Sequence, residues 1–127
     1  MELKKDRIAL FVEALPTYRQ GYGELATLTP EGWAYCALGV ACEIALENGC
    51  DVRKECHTVV YSGSYYSYDG RVSVLPSSVK FWYGFDSSNP ELTIEGVTCS
   101  TEYFNDDARF DFDIIAAAFR QTYLKGE

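Results

Sequence analysis

The sequence predicts a single α+β domain, and three observations carry that expectation. Apolar residues recur at helical spacing near both ends, at Ile8, Phe11, Val12 and Leu15 and again at Phe112, Ile115, Phe119 and Tyr123. Between residues 57 and 76 the period changes to two, in HTVVYSGSYYSYDGRVSVLP, a stretch rich in Val and Tyr. Inside that stretch the dipeptide Asp69-Gly70 signals a two-residue type I′ hairpin. A chain of 127 residues fits one core, and no repeat or low-complexity tract marks a boundary, so the domain is taken as 1–127.

Taken in order, the first element is an amphipathic helix that Asp6 can cap and that Pro16 stops, because the residue before proline avoids the helical region. PTYRQGYGELATLTPEG then reads as a polar loop carrying Gly21, Gly23 and Gly32. Its G-x-G neither follows a strand nor opens a helix, so it is no dinucleotide fingerprint. A central helix is expected from Trp33 to Asn48, with Gly49 just past its end. On it Ala34, Ala37, Ala41 and Ala45 fall within an arc of about 80°. That strip admits a close neighbour, and the helix is apolar around most of its circumference, so it should run through the middle of the domain.

The hairpin at Asp69-Gly70 sets Tyr68 opposite Arg71, Tyr66 opposite Ser73 and Tyr65 opposite Val74. Tyr65, Val72 and Val74 then suit the core, while Tyr66, Tyr68 and Arg71 point the other way. That second face is either a solvated sheet surface or an aromatic surface able to stack on a ring. LPSSVKFWYGF reads as a short helix after Pro76, with Val79 and Trp82 on one side and Gly84 ending it. DSSNPELTIEG is a loop leading into a short strand. The last helix starts at Asp111 as its cap, with Asp113 at the positive end and Arg120 and Lys125 toward the other.

Charge and composition exclude several functions. The net charge of −8 repels phosphate backbones, so general nucleic-acid binding is not expected. Aromatic residues reach 15%, more amphipathic ring surface than a small core needs, which favours a binding surface. No stretch approaches a membrane span, and MELKKDRIALFVEAL lacks the long apolar run and small-residue site of a signal peptide. A cytoplasmic location is therefore expected, with the five cysteines reduced.

Three of those cysteines fall within YCALGVACEIALENGC. Cys36 and Cys42 stand about 120° apart on a helix and cannot ligate one ion together. No C-x₂₋₄-C pair exists, and Cys56 and His57 are strand neighbours that point to opposite faces. These residues read as scaffold. Asp106, Asp107, Asp111 and Asp113 lack the central Gly and terminal Glu of a calcium loop, so capping and solvation explain them. With one histidine and no hydrolase, metalloprotease or phosphate-loop motif, no catalytic residue, metal or cofactor is expected.

The ordered motifs FVEAL (11–15), YRQGYGEL (18–25), YCALGVACE (35–43), LPSSVKFWYGF (75–85), SSNP (87–90), FND (104–106) and DFDIIA (111–116) cover nearly the whole chain. Together they resemble a group of small, mostly phage-encoded proteins of unassigned function, whose pattern includes Y-x-Q-G-x-G-x-L, Y-C-C-L-G-V-x-C-D and L-P-x-x-V-x-x-W-x-G-L. Ala37 departs from the second Cys of that pattern, and Asp111 from its usual capping Ser. The resemblance implies phage origin and action in the host cytoplasm; proteins of this kind often counter host defences.

On that footing the expected function is non-catalytic counter-defence by binding and sequestering a small nucleotide-like immune signal. The alternative is an acidic inhibitor of a host nuclease or defence protein. A ligand site would use Tyr18 and Gln20 for a ring and an amide, Gly21 and Gly23 for close backbone approach, and Tyr66 and Tyr68 for stacking. Asn105 and Asp106 would read a base or ribose edge, and Arg109 or Arg71 would meet a phosphate. Equally, Gln-Gly and Asn-Asp are ordinary turn and capping pairs. Sequestration demands a convergent, partly basic pocket; inhibition demands a continuous acidic face. Association into a homo-oligomer is compatible with the Tyr-rich sheet, without a fixed stoichiometry.

Overall fold

The first helix, α1 (Lys5–Ala14), forms because Ile8, Phe11 and Val12 give it one apolar side, and all three are buried with Leu15. The structure is a computed structural model that describes residues 2–125; Met1, Gly126 and Glu127, which the expected domain 1–127 includes, lie outside the described residues. Asp6 sits in the first turn of α1 and does not cap it, since Lys4 occupies the cap position and makes no side-chain bond there. Pro16 ends the α-helix, and one tighter turn over Leu15–Thr17 follows.

The segment expected to be a polar loop holds a hairpin instead, β1 (Ala26–Thr29) and β2 (Gly32–Tyr35). Its turn is closed by Gly32 at φ +120°, and Leu28 pairs with Trp33 and Ala26 with Tyr35. Trp33, Ala34 and Tyr35 therefore leave the central helix, whose true span is α2 (Ala37–Glu47). The strand wins because Ala34 turns inward and is buried while the Trp33 ring stacks on Tyr66 at 3.9 Å. Gly49 past the helix end adopts φ +94°, as its place after the apolar run requires.

α2 is the core element. Ala37 to Cys42, Ile44 and Ala45 are all buried. Gly39 permits this packing: a Cβ there would collide with the backbone carbonyl of Leu25. Ala41 contributes its carbonyl oxygen, which accepts from Tyr83 Oη at 2.6 Å.

Strands β3 (Lys54–Val59) and β4 (Gly63–Tyr68) complete an antiparallel four-stranded sheet in the order β2-β1-β4-β3. The type I′ turn at Asp69-Gly70 forms, with φ of 52° and 82° and reciprocal backbone bonds between Tyr68 and Arg71 at 2.9 and 3.0 Å. The pairing beyond it does not. β4 spends its edges on β3 and β1, so Tyr66 pairs with Cys56 and Ala26, and Tyr65 with His57 and Thr27, in place of Ser73 and Val74. The expected sidedness reverses as well. Tyr68 is fully buried and Tyr66 packs on the core, while Tyr65 lies on the opposite face against His57 at 5.0 Å.

α3 (Ser77–Tyr83) ends at Gly84 in the left-handed region, φ +81°. Its buried pair is Val79 with Tyr83, while Trp82 is half-exposed beneath the Arg7 guanidinium, 4.5 Å from the ring. A separate hairpin, β5 (Glu91–Ile94) and β6 (Val97–Ser100), precedes a wide helical turn over Tyr103–Asp107. Then comes α4 (Phe112–Phe119), where Asp111 Oδ1 accepts from Ile114 N at 3.1 Å and caps the helix as expected; a wider helical turn over Arg120–Leu124 continues it and carries Tyr123. Phe112, Ile115 and Phe119 are buried, and the Phe119 ring meets Phe11 edge-on at 4.9 Å, tying the last helix to the first. The architecture is α+β. Among the described residues no helix is long and apolar enough to cross a membrane.

Candidate functional site

The residues singled out in the sequence fall into three places. Gln20, Gly21, Asn105, Asp106 and Arg109 come together where the 18–21 segment meets the wide turn after β6. Asn105 is 1% exposed, and its amide is fully engaged. Its Nδ2 donates to the Gly21 carbonyl at 3.0 Å and to Asp106 Oδ1 at 2.7 Å. Its Oδ1 accepts from Gln20 Nε2 at 3.2 Å and from the Ala37 backbone N–H at 3.2 Å. Gln20 Nε2 also donates to the Phe110 carbonyl at 2.8 Å. The two amides thus hold loop, turn and helix start together. Asn105 supplies the cap that Cys36, at the cap position of α2, does not. Gly21 leaves room for Ala34, whose Cβ would lie 3.1 Å from a Cβ at that position.

Around this buried knot lies a surface. Gly23, Ser100, Glu102, Tyr103, Asp106 and Asp107 line a cleft of about 470 Å³. Arg109 stands at its rim, with Nε donating to the Asp106 carbonyl at 3.3 Å and its guanidinium 4.3 Å from the Tyr22 ring centre. Ser100 also lines a neighbouring cleft of about 620 Å³, together with Asp86, Ser87, Asn89, Glu91, Thr93, Thr98, Thr122 and Tyr123. Five carboxylates and no Lys or Arg line the two clefts.

Hydrogen bonds tie this band together. Thr101 is buried and donates both its N–H and its hydroxyl to the Pro90 carbonyl, at 2.9 and 2.6 Å. Next to it, Asn89 clasps Glu102: its Oδ1 accepts from the Glu102 N–H at 3.1 Å and its Nδ2 donates to Oε1 at 3.4 Å. Burial, and after it the charges of Asp106 and Asp107, raise the Glu102 carboxyl above its ordinary value. Burial also pushes the Tyr123 phenol up to about 12, helped by Asp86 and Glu91. Five carboxylates thus gather along the two clefts, with the Arg109 guanidinium at the rim.

Tyr18, Tyr66 and Tyr68 gather elsewhere, on the core side of the sheet. Tyr68 Oη donates to Glu43 Oε2 at 2.6 Å, and Lys54 Nζ meets the same carboxylate oxygen at 2.8 Å while lying 4.1 Å from the Tyr66 ring centre. Tyr18 packs edge-on against Tyr35 at 5.2 Å and donates to Glu47 at 3.4 Å. Arg71 is exposed and joins neither group. Reasoning from sequence missed Asp86, Glu91, Glu102 and Tyr103, whose common location depends on the β5–β6 hairpin. It also missed Tyr22, although an exposed Tyr between two loop glycines was a usable signal.

Cys36, Cys42 and Cys50 are buried, Cys99 is half-buried and Cys56 is exposed, all as free thiols. Among the described residues no group of three or more His, Cys, Asp or Glu stands close enough to hold a metal ion. The model of a domain of unknown function, DUF8296, matches residues 4–123. No curated protein and no solved structure matches the chain.

Proposed function

The chain belongs to the DUF8296 family, and for it we propose a non-catalytic role in which the acidic band binds a basic surface on a host defence protein. The observation that carries this reading is the pair of adjoining clefts lined by five carboxylates with no basic side chain among them. Tyr103 and Tyr123 add rings on which arginine side chains can stack. Negative potential focused along a groove steers positively charged partners, and its effect falls with ionic strength. The phage counter-defence setting is the one the motif resemblance implies.

The test uses a fluorescent oligo-arginine peptide as the probe and measures its anisotropy against the purified protein at several salt concentrations. Asp86→Asn, Glu91→Gln and Asp107→Asn together neutralise three exposed carboxylates of the band. The expected result is salt-sensitive binding that this triple variant weakens severalfold. A control with Glu13→Gln, Glu31→Gln and Asp51→Asn changes net charge equally and should bind as the wild type does. Equal loss in both variants would sink the reading.

Sequestration of a nucleotide-like signal is a second reading, favoured by Arg109 stacked on Tyr22 at the cleft rim. A thermal-shift panel of cyclic dinucleotides and trinucleotides separates the two: a melting shift abolished by Arg109→Ala supports sequestration, and no shift removes it.

A further inference from the structure

The sheet has two edges, and they are treated differently. The outer edge of β2 is covered by the 18–21 segment: Tyr35 N–H donates to the Arg19 carbonyl at 2.8 Å, and Gly21 N–H donates to the Tyr35 carbonyl at 2.7 Å. The outer edge of β3 has no such cover. The bond from Asp69 N–H to the Arg53 carbonyl, 2.7 Å, sets the phase of the ladder. Arg53, Glu55, His57 and Val59 turn their main-chain groups toward β4, and Lys54, Cys56 and Thr58 turn theirs outward. Among the described residues these outward groups have no hydrogen-bond partner.

Open edges are normally guarded by proline, a bulge or an outstretched lysine. Here Lys54–Val59 contains neither proline nor bulge, and Lys54 folds back onto Glu43 and the Tyr66 ring. The edge is available for pairing.

We propose that two copies of the chain join their sheets antiparallel through β3, about a two-fold axis at Cys56. The segment is complementary to itself in that register. Cys56 meets the second copy's Cys56, and Lys54 meets its Thr58, as hydrogen-bonded pairs using the outward groups. Glu55 falls opposite the second copy's His57, twice, at the closer non-hydrogen-bonded positions where side chains interact most. Moving the axis to residue 55 would oppose two Glu55 carboxylates, and moving it to 57 would oppose two imidazoles. Neither shift keeps the Glu–His pairs.

The same register gives a role to the β3–β4 tip. Val59, Val60 and Tyr61 are exposed there, Tyr61 completely, and Tyr61 holds φ +72°, a costly conformation for a bulky residue. Pairing about Cys56 sets Val59 opposite the second copy's Arg53. It carries the tip toward the cleft of about 390 Å³ lined by Arg53, Glu55, Asp69 and Gly70. The interface uses none of the residues of the acidic band, so it stands or falls independently of the function proposed above.

Sedimentation of the reduced 127-residue chain, from low micromolar to high concentration, tests the proposal together with a short bis-maleimide cross-linker. The expected result is a concentration-dependent dimer whose cross-link forms at Cys56 and disappears in Cys56→Ser. Glu55→Lys removes the carboxylate acceptor from both cross-strand pairs and should weaken the dimer about tenfold, with recovery in Glu55→Lys/His57→Glu, which restores an opposed acid and base. Cys56→Pro removes an N–H that the single chain does not use and should leave a folded monomer. A protein monomeric at every concentration overturns the proposal. So does a dimer whose strength is the same in the wild type and in Glu55→Lys, the exposed variant that decides the matter should Cys56→Pro fail to fold.

Discussion

The hydroxyl of Tyr68 donates to Glu43 Oε2 at 2.6 Å, joining the last residue of β4 to the middle of α2. The carboxylate is kept company by Lys54 at 2.8 Å, so the three side chains form a half-buried network between sheet and helix. Burial, followed by the bond to Glu43, raises the Tyr68 phenol well above its ordinary value, and the phenol stays a donor at any physiological pH. Tyr68→Phe keeps the packing and removes a hydrogen bond to a charged group, a loss of about 1.5–3 kcal/mol. Urea unfolding should show a lower midpoint with unchanged slope. A midpoint equal to wild type would mean that the network contributes nothing.

Asn105→Ala removes the acceptor for Ala37 N–H and two donor bonds at once. About 3 kcal/mol or more of stability should be lost, because buried donors and acceptors are left without partners. Hydrogen exchange should report the loss first at the start of α2. A variant as stable as wild type would return Asn105 to the pool of free ligand-reading groups.

Gly39→Ala adds one methyl where the Leu25 carbonyl already sits. Helix propensity alone favours Ala over Gly by about 1 kcal/mol. The collision outweighs that gain, and the substitution should lower the melting temperature by several degrees or more, or prevent folding. A stabilised variant would show that α2 can move away from β1 at no cost.

Alkaline pH should unfold the protein through its buried thiols and phenols. Burial pushes the Cys36 thiol from its ordinary value near 9 up to about 12, and raises Cys42 and Tyr83 as well. Below about pH 9 both folded and unfolded chains keep these protons. Above it the unfolded chain releases protons that the native chain retains, so stability falls as pH rises, by about 1.4 kcal/mol per pH unit for each proton retained. Urea midpoints measured from pH 8 upward, in reductant, should decline steadily beyond about pH 9. A flat profile would show that these groups titrate alike in both states.

Much of this fold was legible because α1 and α4 bury one face each, and burial of one face leaves a 3.6-residue period that nothing else produces. Asp111 was readable for a similar reason, since a capping carboxylate acts on a neighbour three residues away. The β1–β2 hairpin was hidden by its short strands and by an apolar run through Trp33 and Tyr35 that merges with α2. The true start of α2 carries no local capping signal, because the cap comes from Asn105. The face of Tyr68 is hidden in the sequence for a related reason. The turn at Asp69-Gly70 formed, but the neighbours of β4 came from residues 26–27 and 54–59, which sequence spacing does not reveal. The candidate site was half legible: Gln20 and Asn105 do meet, yet they bind each other, and the acids around them converge only through the β5–β6 hairpin.

The Asn105 cap has a consequence for synthesis. α2 leaves the ribosome with its first N–H groups open, and the residue that closes one of them lies 68 positions further along the chain. At about 5–20 residues per second, the central helix waits several seconds for its missing acceptor. During that interval the Ala37 N–H lacks the acceptor it has in the finished fold. Completion of the fold is thereby timed to the arrival of its C-terminal quarter.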